Sequence, residues 1–306
     1  MLKNQLVTTD QQNPSALPAA SAPAPSWGQR FWRFPLTRIV LAVFITALSV
    51  GLTMSFFSSL AGETKRIMWP ELLGAAAALV SYYAYVRLFE KRPVAELSRA
   101  KALRELGGGL LLGVLLVAAV IGLLALAGSY RLTGVNGWSV ALLVPLAEMI
   151  LVGVFEEVLC RGIVFRITEG SLGSWLALTI SSLIFGLAHA PSAQSSPLAI
   201  AIAVVAGAFF AAAYMMTRRL WLCIGIHVAW NYTLGTICSV AVSGRESRGL
   251  LQGELSGREW LTGGAYGLEA SVLTLLLLTA VGVVFLSKAR ARGHIVAPSW
   301  PGLRRG

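Results

Sequence analysis

The sequence predicts an all-α, polytopic membrane protein, a bundle of about eight transmembrane helices with a polar cavity inside the membrane. Residues of the set AVILMFWYC make up 56% of the 306-residue chain and charged residues only 13%, about half the charged fraction of a soluble domain. Mean hydropathy is +0.71, and several apolar runs reach about 20 residues, enough to cross a bilayer as a helix. Ionisable side chains nevertheless recur inside the later runs, and such residues face a bundle interior.

Residues 1–38 are expected to form a disordered and interfacial N-terminal tail. Residues 11–26 are rich in Pro, Ala and Ser, a composition that cannot bury enough apolar surface to become ordered. No apolar segment follows a basic start, so the pattern is not that of a secretory signal. The next aromatic residues alternate with arginines, as in segments anchored at a membrane surface; they are Trp27, Phe31, Trp32 and Phe34.

Eight apolar segments are long enough to cross the bilayer as helices. Three belong to an N-terminal part (39–135), four to a core (138–242), and one to a C-terminal part (243–306) with an outer loop and a basic tail. The predicted spans are 39–60, 67–88, 106–128, 138–165, 174–190, 198–216, 220–242 and 268–287. Spanning strands are excluded because the runs lack polar–apolar alternation. Gly109 and Gly113 form a GxxxG pair in the third span, which favours close helix packing.

The basic residues predict the orientation in the membrane. The formal net charge is +11, and of the 25 Lys and Arg residues nineteen lie on the side of the termini and six on the other. Both termini are therefore expected in the cytoplasm. Because these residues lie at helix ends and not in one stripe, the bilayer is the expected partner and nucleic acid is not. Arginine outnumbers lysine by twenty to five, which favours a GC-rich genome and a bacterial plasma membrane, with the endoplasmic reticulum as the alternative.

Polar groups are concentrated in three of the later spans. They are Glu156, Glu157 and Arg161 in the fourth, His189 at the end of the fifth, and His227 and Asn231 in the seventh. Glu157 and Arg161 are four residues apart on one helix face, so they are expected to form a structural ion pair. Glu156 is rotated by about 100° from Glu157 and is free to point into a cavity, where a carboxylate can act as a general base on water.

The seventh span offers the complementary part of a hydrolytic site. His227 and Asn231 are also four residues apart, so they present two neighbouring hydrogen-bond donors suited to a developing oxyanion. His189 is expected to orient the water or share its proton. Water activation combined with an oxyanion cradle indicates hydrolysis of an acyl bond, and a peptide bond fits this chemistry.

These residues form three motifs that follow one another on three predicted helices: Glu156-Glu157-x-x-x-Arg161, Phe185-x-x-x-His189 and His227-x-x-x-Asn231. In this order they resemble the signature of the type II CAAX prenyl endopeptidase family, also called the CAAX-protease and bacteriocin-processing, or Abi, family of intramembrane proteases. The resemblance covers about residues 140–240, roughly a third of the chain.

The resemblance implies an eight-helix bundle with a membrane-embedded site and no cofactor. It implies that Glu156 and His189 act on water and that His227 and Asn231 form the oxyanion hole. Glu157 and Arg161 would support them. The implied partner is a peptide or protein substrate in or at the membrane, lipidated and CAAX-like or bacteriocin-like.

Two alternatives remain open at the level of sequence. Glu156, His189 and His227 match the His₂Glu composition of a catalytic zinc site, although there is no HExxH motif and Arg161 places a cation nearby. The three cysteines lack CxxC spacing, so they indicate neither disulfides nor a thiolate metal site. The second alternative is a non-catalytic scaffold or transport protein whose polar cluster binds a partner or conducts protons.

The predicted spans place the site residues at unequal depths. Counted from the cytoplasmic helix ends, Glu156 lies roughly 14 Å deep, His227 roughly 10 Å and His189 roughly 22 Å. Groups that share one water molecule cannot differ by so much. We therefore expect a misplaced boundary: either the fourth helix continues past Phe165 towards Glu169, or the fifth starts late and tilts.

Overall fold

The computed structural model describes residues 34–61 and 68–299, together with residues 28 and 31. These residues form α1 (Pro35–Ala61), α2 (Trp69–Leu88), α3 (Ala102–Leu126), β1 (Tyr130–Val135), α4 (Val144–Glu157) with a π-helical continuation (Val158–Phe165), α5 (Arg166–Ala188), α6 (Pro197–Thr217), α7 (Trp221–Tyr232) with a second π-helical continuation (Thr233–Ile237), β2 (Leu251–Leu255), α8 (Glu259–Thr262) and α9 (Val272–Ala291). Helices occupy all eight predicted spans, as α1–α7 and α9, so the predicted all-α bundle is confirmed. The predicted tail, residues 1–38, lies almost entirely outside the described residues.

Four of the described helices are long and apolar enough to cross a membrane on their own. They are Pro35–Leu60, Ala102–Leu126, Pro197–Thr217 and Val272–Ala291. The other predicted spans, α2, α4, α5 and α7, do not pass the same test of length and composition. α4 and α7 are short before they change to π-helix, and both carry polar groups that face protein and not lipid. Their assignment as spans depends on their place in the bundle.

The predicted end of the fourth span at residue 165 was wrong, whereas the predicted start of the fifth at residue 174 was correct. The first of the two expected explanations is confirmed, because the fourth helix continues past Phe165 and Glu169. The helix that begins with α4 continues through the π-helical segment into the first turns of α5, and it is broken only at Gly173, where φ is 79° and ψ is 170°. Measured from this break, Glu156 and His189 lie at similar distances, roughly 24 Å and 22 Å along their helices. The discrepancy in depth between these two residues therefore disappears.

The depth of His227 has a different explanation. α7 starts at Trp221, but this start is covered by the loop that joins α2 to α3. Leu220 is fully buried, its N–H donates to the carbonyl oxygen of Glu96 at 3.1 Å, and the Trp221 indole donates to the carbonyl oxygen of Ser98 at 2.9 Å. The assumption that each helix starts at the membrane surface fails for α7.

A two-stranded antiparallel sheet lies between the helices in sequence and was not predicted. β1 pairs with β2, with Tyr130 opposite Leu255 and Val135 opposite Leu251, and the register shifts between Leu132 and Gly134. The sheet joins the α3–α4 connection to the loop that precedes α9. The sheet therefore forms an ordered cap on the bundle. It lies at the end opposite the first residue of α1 and the last residue of α9.

Small residues allow the closest helix contacts. α3 packs along α7, where Gly109 faces Gly225 and Gly113 faces Ala229. A Cβ atom added at Gly109 would lie 2.4 Å from the Leu222 carbonyl oxygen, closer than any real contact. The GxxxG pair therefore acts in helix packing, as predicted, and it holds the helix that carries His227.

Replacing Gly109 by alanine is expected to lower the free energy of unfolding by about 1–3 kcal/mol, because the added methyl group separates α3 from α7. Gly108→Ala is the matched control: its added Cβ meets no atom within 4 Å, and alanine favours helix. The measurement is unfolding by SDS titration in mixed micelles. Equal stability of the two variants would contradict the close contact.

Ionic side chains cluster at the end of the bundle where α2 leads into α3. Glu90 accepts hydrogen bonds from Arg38 (2.7 Å), Arg92 (2.8 Å) and Arg166 (2.9 Å). Burial would raise the pKa of Glu90, but the hydrogen bonds from Arg166, Arg38 and Arg92 lower it to about 2. The carboxylate is therefore ionised at neutral pH and connects α1, α2 and the start of α5. Two further pairs at this charged end are Arg218–Glu169 and Arg219–Glu105.

Candidate active site

The centre of the candidate site is an ion pair buried between α4 and α6. Glu157 Oε1 and Arg161 Nη1 are 2.9 Å apart, and both side chains are completely buried, so the pair predicted from the i,i+4 spacing is confirmed. Arg161 Nη2 also donates to the Gly207 carbonyl oxygen at 2.9 Å. The guanidinium lies over the rings of Phe185 and Phe210, at 4.7 and 5.0 Å from their centroids. Two aromatic faces and a backbone carbonyl thus fix the cation.

His227 connects this ion pair to the second carboxylate. Its Nδ1 is 2.9 Å from Glu157 Oε1, and its Nε2 is 3.8 Å from Glu156 Oε2. The imidazole stacks on Phe210 with ring centroids 4.9 Å apart and an interplanar angle of 23°. Since a carboxylate oxygen only accepts, Nδ1–H donates to Glu157, and this bond directs Nε2 towards Glu156.

Glu156 differs from Glu157 in the way predicted from helix geometry. Its side chain is 30% exposed, whereas that of Glu157 is fully buried. Its Oε2 atom is buried and, like Oε2 of Glu157, has no hydrogen-bond partner among the described residues, so the exposure of the side chain is what distinguishes the two glutamates. A buried carboxylate oxygen without a partner is uncommon in folded proteins. Glu156 is therefore available to bind water or a substrate group.

Asn231 lies one helical turn beyond His227 on α7. Asn231 is only 7% exposed, yet its side-chain amide makes no hydrogen bond within the described part of the chain. The i,i+4 relation places the amide next to the imidazole on one face of the helix. Two donor groups, Asn231 Nδ2–H and His227 Nε2–H when that nitrogen is protonated, can therefore face the same oxygen atom.

His189 lies at the end of α5 and reaches the cluster through Phe185. Its Nδ1 is 2.8 Å from the Phe185 carbonyl oxygen, which can only accept, so Nδ1 carries the proton and Nε2 is left with its lone pair. The Phe185 ring is 4.7 Å from the His189 ring and 6.2 Å from that of His227. The structure thus brings five predicted residues into or beside one buried cluster, and His189 stands at its edge.

Metal binding was the alternative for three of these residues. Among the described residues, no group of three or more His, Cys, Asp or Glu side chains is arranged to hold a metal ion. Glu156, His189 and His227 do not form such a group. The cysteines Cys160, Cys223 and Cys238 are free thiols.

Four contributors to the site have no motif in the sequence: two π-helical segments and two residues of α6. The first π-helical segment, Val158–Phe165, begins directly after Glu157 and contains Arg161, and the second, Thr233–Ile237, begins two residues after Asn231. π-helical turns are frequent at functional sites. The other two are Gly207 and Phe210 on α6, an apolar helix without polar motifs. A glycine carbonyl and an aromatic ring leave no chemical pattern, so only the helix packing identifies them.

A helical membrane bundle that buries Glu157, Arg161 and His227 beside the partly exposed Glu156 has the polar groups of an intramembrane hydrolase. Residues 135–233 match the model of a protein family described as Type II CAAX prenyl endopeptidase Rce1-like. The resemblance inferred from the three motifs is thus confirmed for this part of the chain. The family is a protease family, so the match supports intramembrane endopeptidase activity in general. None of the curated proteins matches the chain.

Proposed function

We propose that the protein is an intramembrane endopeptidase that hydrolyses a peptide bond with a water molecule activated by Glu156. The observation that carries this proposal is the position of Glu156: its side chain is 30% exposed, its Oε2 atom lies 3.8 Å from His227 Nε2, and this atom lacks a hydrogen-bond partner among the described residues. An unpaired carboxylate oxygen beside a donor-bearing helix face provides both a proton acceptor and an oxyanion site.

The reaction follows from these positions. Glu156 takes a proton from water as the oxygen attacks the carbonyl carbon of the scissile bond, and His189 Nε2 accepts the second hydrogen bond of that water. The carbonyl oxygen becomes an oxyanion stabilised by Asn231 and His227. Glu156 then gives its proton to the leaving nitrogen, and the C–N bond breaks. Water supplies the OH of the new carboxyl group and the H of the new amine.

The buried charges favour a positively charged His227 in this reaction. Glu156 and Glu157 ionised against Arg161 alone leave one negative charge in excess inside the bundle, and an imidazolium at His227 neutralises it. In this form Nδ1–H donates to Glu157 while Nε2–H faces the oxyanion. Glu157 and Arg161 thus act through His227 and do not touch the substrate.

The substrate is a membrane-associated peptide or protein, CAAX-like and lipidated or bacteriocin-like, as the family resemblance implies. The chain lies in a bacterial plasma membrane with both termini in the cytoplasm, because Lys and Arg are concentrated on that side. No metal ion takes part.

The test begins with the purified Glu156→Gln variant in nanodiscs, from which bound peptides are identified by mass spectrometry. Wild-type protein should then cleave synthetic copies of these peptides, and in H₂¹⁸O the new carboxyl terminus should carry one ¹⁸O atom. Absence of cleavage would leave the scaffold or transport alternative. Loss of cleavage with a chelator and its recovery with Zn²⁺ would replace the metal-free mechanism by the zinc mechanism.

A further inference from the structure

The chain segment that follows α9 packs against the break in α5 and forms hydrogen bonds there. We define residues 294–299 as the C-terminal strap. Ser174, the first residue after the break, is fully buried; its N–H donates to the Val296 carbonyl oxygen at 2.9 Å, and its Oγ accepts from Val296 N–H at 2.8 Å. The start of a helix leaves backbone N–H groups without intrahelical partners, and the strap satisfies one of them.

The strap and the break fit each other closely. Gly173 has a positive φ, and a Cβ atom there would lie 2.8 Å from Pro298 N and 2.9 Å from the Val296 carbonyl oxygen. Ser299 Oγ donates to the carbonyl oxygen of Gly170 at 3.1 Å, on the other side of the break. The break in the helix and the bound strap therefore depend on each other.

The same segment also binds the end of α6. His294 Nδ1–H donates to the Met215 carbonyl oxygen at 2.9 Å, and Arg292 just before the strap donates to that of Met216 at 2.8 Å. These carbonyls belong to the last turn of α6, where intrahelical donors are missing. The strap and Arg292 thus connect the last turn of α6 to the part of α5 that begins after the break, at Ser174.

Both helices lead from the strap to the candidate site. The part of α5 after the break begins at Ser174 and leads to His189, roughly 22 Å away. It packs on α6 so closely that a Cβ atom at Gly207 would lie 2.8 Å from Ser182 Cα. α6 in turn presents the Gly207 carbonyl oxygen to Arg161 at 2.9 Å. A rigid pair of helices therefore transmits any shift at the strap to both sides of the cluster.

We propose that the C-terminal strap is a positioning element that sets His189 and α6 relative to Glu156. This inference rests on the proposed function, because it assigns the strap a role in the same site. The strap does not touch the reacting groups. Its docking aligns the two helices, and a misplacement of about 1 Å is enough to lower a catalytic rate about 100-fold.

The test compares two truncations of the full-length protein in nanodiscs. Deletion of residues 294–306 removes the strap, whereas deletion of residues 300–306, which lie outside the described residues, leaves it. The first should lower kcat by about 10- to 100-fold with KM changed less than about two-fold, and the second should match wild type. A loss of folded protein would also lower the apparent kcat at an unchanged KM, so kcat is calculated per folded protein, whose amount is measured by size-exclusion chromatography and thermal unfolding of the same sample.

A second readout does not depend on activity. Cys160 is a free, half-buried thiol on the π-helical segment, and Ser181 Oγ of α5 donates to its carbonyl oxygen at 3.1 Å. Without the strap, α5 should move away and the maleimide labelling rate of Cys160, resolved by mass spectrometry, should rise several-fold. Unchanged labelling together with unchanged kcat would overturn the role of the strap. Absence of any peptidase activity in wild type would instead overturn the proposed function and leave the labelling result valid.

Should the truncated protein fail to fold, a point variant tests the same contact. Gly173→Ala places a methyl group against Pro298 and the Val296 carbonyl oxygen, so it should displace the strap and raise Cys160 labelling. Gly170→Ala is the matched control, since a Cβ atom there meets nothing within 4 Å. Equal labelling and equal kcat in the two variants would contradict the proposal.

Discussion

Replacing Glu156 by glutamine is expected to lower kcat by about 10³-fold, within the range that a positioned general base contributes. Glutamine has the same shape as glutamate but cannot take a proton from water. The fold should persist, because the Glu156 side chain is 30% exposed and its buried Oε2 atom has no hydrogen-bond partner among the described residues. The measurements are peptide cleavage in nanodiscs and thermal unfolding of the same sample.

Glu148→Gln is the control for this variant. Glu148 lies about two turns before Glu156 on α4, its side chain is 49% exposed, and its ionic partner within 4 Å is the exposed Arg245, at 3.5 Å. Its replacement should leave kcat within about two-fold of wild type. A Glu156→Gln protein that cleaves as fast as the Glu148→Gln protein would rule out Glu156 as the base.

Replacing Arg161 by methionine is expected to destabilise the fold by about 3–5 kcal/mol, because it leaves a buried carboxylate without its cation. Glu157 is fully buried, and its partners among the described residues are Arg161 and His227. Turnover should also fall, because Glu157 orients His227 and would no longer be paired with the positive charge of Arg161. The free energy of unfolding is measured by SDS titration in mixed micelles.

A double variant distinguishes pairing from packing. Glu157→Gln combined with Arg161→Met removes the carboxylate that would otherwise lose its cation, so the double variant should be more stable than Arg161→Met alone. Arg161→Lys should stay below wild type, because an ammonium group cannot reach Glu157 and the Gly207 carbonyl oxygen with the same planar geometry. Additive losses in the double variant would argue against a direct interaction between Glu157 and Arg161.

Helix periodicity was sufficient to predict the relations within each helix of the site. The spacing of Glu157 and Arg161 gave the ion pair, and the rotation of Glu156 correctly separated the exposed carboxylate from the buried one. Periodicity contains no information on how two helices are aligned with each other. The bond between His227 and Glu157, which joins residues seventy positions apart, therefore could not be predicted.

The end of the fourth span was predicted at residue 165, and the helix continues to the break at Gly173. Gly170 and Gly173 are both glycines in a short polar stretch, and either could end a helix. Gly170 remains helical, and the break occurs at Gly173, where the returning C-terminal segment occupies the space that a side chain would need. A local pattern cannot reveal a contact made by residues more than a hundred positions later. The pairing of β1 with β2 was missed for the same reason.

The oxygen atom that accepts the hydrogen bond from Arg161 Nη2 belongs to the main chain, at position 207. Mutation changes side chains and leaves this acceptor in place, so the sixth helix can diverge widely in sequence and still serve the polar centre. What restricts the position is size, since the neighbouring helix backbone leaves no room for a methyl group. Searches of genomes by acidic and histidine motifs will therefore overlook this helix, and a requirement for a small residue there offers an additional filter.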